Sequence, residues 1–117
     1  MKQKYTGGCQ CGRVRFEVEA DINEVMSCNC SRCAKVGWLL TFVPSQDFKL
    51  TQGQDATTEF LFHNHNIHHR FCATCGIQPY AFGKAPNGAE MTAVNVRCLD
   101  GVEVGAFQVK TFDGKSL

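Results

Sequence analysis

The chain has 117 residues, 44% of them hydrophobic, enough for one core, and its 12 basic against 11 acidic residues give no polyanion-binding signature. No apolar run approaches membrane-spanning length, and the opening Met1-Lys2-Gln3-Lys4-Tyr5 lacks the apolar stretch of a signal peptide. The expectation is a single domain over residues 1–117, cytoplasmic, with neither a membrane nor a nucleic acid as partner.

Strand signals dominate the chain from its start. Residues 13–18 alternate strictly, with Val14, Phe16 and Val18 on one face. Ser31–Val36 has the length of one helical turn, with Ser31 as its cap. Residues 38–43 are a continuous apolar run closed by Pro44, which reads as a buried strand. Further strands are expected at 48–50, 58–62, 67–71, 78–82, 91–96 and 102–109. Gly53, Asn87-Gly88 and Asp100-Gly101 mark turns between them. No window of helical length carries a convincing 3.6-residue stripe. The expected fold is therefore mainly β, with antiparallel sheets packed around metal.

The 8 cysteines carry the chemistry. A disulfide framework is one reading of an even count, but a reducing cytosol keeps thiols free. The close spacings also suit a metal better than cross-links. Cys9-Gln10-Cys11 and Cys72-Ala73-Thr74-Cys75 supply two ligands each, a complete tetrahedral set. In extended chain, residues i and i+2 face the same way, so both sulfurs of Cys9-x-Cys11 can reach one ion. Gly76 tolerates the positive φ that a turn after Cys75 needs. Sixty residues separate Cys11 from Cys72, so one ion held by both pairs closes a long loop.

Cys28-Asn29-Cys30-Ser31-Arg32-Cys33 offers three thiolates, one short of a closed site. One closed and one open set is the layout of a structural zinc beside a catalytic zinc. The remaining Cys98 reads as a small buried hydrophobe. His63, His65, His68 and His69 read as a polar turn and an exposed strand face, with His68 and His69 retained as candidates because they lie near the Cys72 pair.

Gly8-Cys9-Gln10-Cys11-Gly12-Arg13-Val14, Cys28-Asn29-Cys30-Ser31-Arg32-Cys33, Phe71-Cys72-Ala73-Thr74-Cys75-Gly76 and Asn95-Val96-Arg97-Cys98-Leu99-Asp100 together carry a resemblance. The chain resembles the glutathione-dependent formaldehyde-activating enzyme family. The resemblance implies a β-tent fold and two zinc ions. It assigns the structural zinc to Cys9, Cys11, Cys72 and Cys75, and the catalytic zinc to Cys28, Cys30 and Cys33. It also implies a carbon–sulfur lyase run in reverse, condensing glutathione with formaldehyde or a related small electrophile. The expected fourth ligand of the open set is the sulfur of the substrate thiol. Water or a histidine would supply the proton. Arg32, Lys35, Arg70 and Arg97 are candidates to hold glutathione's carboxylates, and Asn95 and Arg97 to line the site.

Two other functions compete. One is a non-catalytic zinc module or glutathione carrier, which would need only the four-cysteine set. The other is an oxidoreductase resembling methionine sulfoxide reductase of the B type, with Cys98 as its catalytic thiol. That chemistry is usually built around two Cys-x-x-Cys pairs, whereas one pair here is Cys-x-Cys.

Overall fold

The computed structural model describes residues 2–62 and 67–113. The chain runs β1 (Gln3–Gly8), β2 (Arg15–Ala20), β3 (Glu24–Cys28), α1 (Ser31–Val36), β4 (Leu40–Pro44), β5 (Phe48–Gln52), β6 (Thr57–Phe62), β7 (Ile67–Cys72), β8 (Tyr80–Lys84), β9 (Glu90–Asn95) and β10 (Gln108–Phe112). Short 3-10 turns occupy Ser45–Asp47, Val96–Cys98 and Val104–Ala106. The mainly β expectation holds. His63 and His65 lie outside the described residues. No helix among the described residues is long and apolar enough to cross a membrane.

The strands form a 3-stranded sheet, β1-β2-β5, and a 7-stranded sheet, β10-β3-β4-β9-β8-β7-β6. Both β1 and β3 were unexpected from the sequence. β1 is polar and glycine-ended, and it is held by antiparallel pairing with β2 from Gln3↔Ala20 to Gly8↔Arg15. Residues 102–109 do not form one strand. They divide into the turn at Val104–Ala106 and the start of β10. β10 pairs with β3 in parallel, so the larger sheet is mixed rather than wholly antiparallel. The two strands lie too far apart in sequence for a hairpin to dictate their direction.

The expected alternation of β2 decides how the sheets meet. Phe16, Val18 and Ala20 are buried against Val25 of β3, Val43 of β4 and Val94 of β9. These residues all lie on one face of the larger sheet. By the two-residue period of a strand, their neighbours Met26, Phe42 and Ala93 lie on the other face. That second face carries the site described below.

The sheets approach closely at Gly7. A Cβ built there would stand 2.5 Å from the backbone oxygen of Cys98 and 2.8 Å from the ring of Phe16. Arg15 and Thr6 both bond Asp100 nearby, Thr6 Oγ1 donating at 2.8 Å. The Arg15 guanidinium, with help from Thr6, holds the Asp100 carboxyl below its usual range. Gly7→Ala must push backbone apart, so it is expected to destabilise the fold by about 1–3 kcal/mol. Urea denaturation of the two proteins measures this, and an unchanged midpoint would show that the contact yields without cost.

Candidate metal centres

The four cysteines of the first set come from two distant turns. Cys9 and Cys11 sit in the connection between β1 and β2. Cys72 ends β7, and Cys75 follows in the tight turn closed by Gly76 N–H donating to Cys72 O at 2.9 Å. Gly76 has φ +80°, the conformation anticipated for it. The four Sγ atoms all lie within 4.8 Å of one another. Cys9 and Cys11 sulfurs are 3.7 Å apart, as are those of Cys11 and Cys72. A tetrahedron of sulfurs about 2.3 Å from zinc has edges of about 3.8 Å, whereas a disulfide needs about 2.05 Å. All eight cysteines are free thiols.

Backbone donors already point at these sulfurs. Val14 N–H donates to Cys9 Sγ at 3.3 Å, and the N–H groups of Thr74 and Cys75 donate to Cys72 Sγ at 3.4 Å. The Cys75 N–H is the main cause of a lowered Cys72 pKa, and it outweighs burial. Donors of this kind favour thiolates, the form that binds metal.

The second set comes from one short segment. Cys28 ends β3, Cys30 precedes α1, and Cys33 lies within it. Their three sulfurs also lie within 4.8 Å of one another. The helix cap is Cys30 rather than Ser31, because Cys30 is extended (φ −61°, ψ 161°) and its sulfur accepts from Cys33 N–H at 3.3 Å. One sulfur thus both caps the helix and faces its two neighbours. Gly37 closes the helix at φ 73°. Burial pushes the Cys33 thiol up to about 12, opposed by the indole N–H of Trp38. Trp38 Nε1 is buried near Cys33, with no acceptor at full hydrogen-bond distance. A cation among the three sulfurs would hold Cys33 as a thiolate, which is an acceptor for the indole N–H of Trp38.

The three cysteines open onto a cleft of about 730 Å³ on the free face of the larger sheet. Its lining includes Trp38, Leu40, Phe42 and His69. Phe42 sits in the run read as a buried strand, yet it is 47% exposed. The run is apolar but for Thr41 because its two faces serve different ends, the core on one side and the cleft on the other.

His68 and His69 separate as alternation requires. His68 stacks on Phe82, with ring centroids 4.7 Å apart, and its Nδ1 meets Glu59 Oε1 at 2.7 Å. His69 borders the cleft. Arg32 can only donate, and its NH2 bonds Gln78 Oε1 at 2.7 Å. Gln78 therefore presents its amide N–H to His69 Nδ1 at 2.9 Å, which places the His69 proton on Nε2. Burial, helped by Arg32, lowers the His69 pKa to about 4, so the ring is neutral at pH 7. Arg32 and Gln78 form a support for His69 that spacing in the sequence did not reveal.

The other candidates lie elsewhere. Arg70 pairs with Glu59 at 2.8 Å, and Lys35 and Arg97 are exposed. Asn95 is a buried pin, accepting from Arg97 N–H at 3.1 Å and donating to Gln78 O at 3.1 Å. Cys98 packs at the edge of the main core, and burial raises its thiol to about 11. That makes it a poor nucleophile near neutral pH.

The profile of the family described as glutathione-dependent formaldehyde-activating enzyme matches residues 4–112. Among solved structures, the chain is similar to the crystal structure of a Rhodobacter sphaeroides protein, at 29% identity and a TM-score of 0.78. That match covers 90% of this chain and 99% of the other.

The geometry predicts near two metal ions per chain by elemental analysis. Cys30→Ser is expected to retain about one and to keep its thermal transition, whereas Cys72→Ser is expected to lose the folded state. Two ions retained by Cys30→Ser would exclude the three-sulfur set as a metal site.

Proposed function

The chain belongs to the glutathione-dependent formaldehyde-activating enzyme family, and on that premise we propose that it is a zinc enzyme joining a thiol, glutathione, to formaldehyde or a related small aldehyde. The observation that carries this reading is the convergence of three cysteine sulfurs at the mouth of a cleft. Cys9, Cys11, Cys72 and Cys75 would hold a structural zinc ion. Cys28, Cys30 and Cys33 would hold a second one. Bound by three thiolates, zinc supplies a soft open position that lowers the pKa of a thiol presented to it.

The reaction forms one bond from sulfur to the carbonyl carbon and opens the carbon–oxygen π bond. The thiol proton ends on the oxygen, and nothing is oxidised or reduced. The residues of the chain shape the surroundings of this step. The apolar walls at Trp38 and Leu40 keep bulk water from the electrophile. His69, neutral and protonated on Nε2, borders the cleft as a hydrogen-bond donor suited to the developing alkoxide. Gln78 and Arg32 are positioning residues that hold its tautomer.

Redox chemistry at Cys98 is disfavoured by its raised pKa and by its place in the core. Formation of S-(hydroxymethyl)glutathione from glutathione and formaldehyde, followed by NMR exchange, distinguishes the readings. The zinc-loaded protein is expected to accelerate the exchange, Cys30→Ser to lose at least about 100-fold of it, and Cys98→Ala to keep it. Loss of activity in Cys98→Ala with both metal ions in place would contradict the proposal.

A further inference from the structure

The stretch of the larger sheet's second face that lines the cleft is mostly apolar. Alternation brings Met26, Leu40, Phe42, Met91 and Ala93 to it, with Phe112 at one edge. The register shapes a hollow there: Phe42 lies opposite Ala93, and Ala93 lies opposite Ala81. A large ring therefore stands beside two small side chains. The cleft measures about 730 Å³, and the three cysteines lie at one end.

Its charge is as informative as its shape. Apart from the cysteines, the ionisable side chains lining it among the described residues are His69 and Lys84. His69 is neutral at pH 7. Arg32, Lys35, Arg70 and Arg97 do not border it. Glutathione carries two carboxylates, and of the described residues lining this face Lys84 offers the one cation, so a second carboxylate buried unpaired there is costly. Formaldehyde is a single carbon and would leave nearly all of the cleft unfilled. Neither named substrate accounts for an apolar hollow beside the cysteines.

We infer that the electrophile is an aldehyde bearing an aliphatic or aryl group. Its carbonyl carbon sits at the Cys28–Cys30–Cys33 end, and its apolar group lies along the sheet face over Ala93 and Ala81. This inference rests on the thiol–aldehyde reading above and narrows the class of its second substrate. The thiol sulfur bonds to the carbonyl carbon, the π bond opens, and the thiol proton moves to the oxygen to give a hemithioacetal. No redox partner is required.

The test uses the zinc-loaded protein and two readouts. Trp38, the one tryptophan of the chain, lines the cleft, so its fluorescence reports binding of straight-chain alcohols as unreactive analogues. Affinity is expected to rise about fourfold per methylene from ethanol to hexanol, the increment for a buried CH₂. kcat/KM with glutathione is expected to climb in parallel from formaldehyde to hexanal. Phe42→Ser and Ala93→Leu should flatten both series. Val109→Ser, which removes an exposed apolar residue outside the cleft, should leave them unchanged.

Flat series with glutathione and formaldehyde still turned over would overturn the inference and leave the proposed function standing. Chain-length-dependent alcohol binding with no turnover of any aldehyde would overturn the proposed function and uphold the apolar subsite. A chain-length effect found for alkyl thiols but not for aldehydes would overturn the assignment of the apolar group to the electrophile. Concentration-dependent self-association abolished by Phe42→Ser would mark the face as an interface between copies and overturn the inference as well.

Discussion

Four sulfurs join what the backbone alone leaves apart. The turn between β1 and β2 belongs to the 3-stranded sheet, and the end of β7 belongs to the 7-stranded one. Cys9 and Cys72 are buried together with Val14, in a small cluster separate from the main core. Val14, Thr74 and Cys75 aim their N–H groups at the same sulfurs. Without a cation, four thiols in mutual contact, Cys9 and Cys72 of them buried, cannot all ionise, so this corner is a weak point. With one, it fixes the ends of a loop of some sixty residues and sets the sheets in register at Gly7.

The consequence reaches the second set of cysteines. Because the small sheet covers only one face of the large one, the other face is left to α1, Trp38 and the cleft. Val25, Val43 and Val94 look inward to the core, while Cys28, Phe42 and Ala93 look the other way. The same strands thus hold the fold together and present the chemistry. Cys30 unites the two roles in one atom, since its sulfur caps α1 and stands among the candidate ligands.

The two cysteine sets were legible because the pieces that make them are local. A Cys-x-Cys in extended chain and a Cys-x-x-Cys in a turn bring their sulfurs together with little help from tertiary structure. Two short pairs also sum to a tetrahedral set by chemistry alone. The alternation of Val14, Phe16 and Val18 was legible for the same reason. β1 and β3 were not, because the polar, glycine-ended β1 and the five-residue β3 become strands only through the neighbours that pair with them. The cleft was hidden differently. An apolar run at 38–43 shows that both faces of a strand avoid water in the unfolded reckoning, but not that one of them will remain open. His69 was separable from His68 only by which face of β7 it occupies, and the role of Gln78 depends on Arg32, 46 residues away.

The protein divides its cysteines between a closed set of four sulfurs and an open set of three. Cadmium-113 NMR of the cadmium-substituted protein addresses this division directly, because the shift of the metal reports the number of thiolates around it. Two resonances are expected, one for four sulfurs and one for three. Titration with glutathione should move the three-sulfur resonance toward the four-sulfur position and leave the other in place. Two resonances that both ignore added thiol, or a single four-sulfur environment at both sites, would contradict the account.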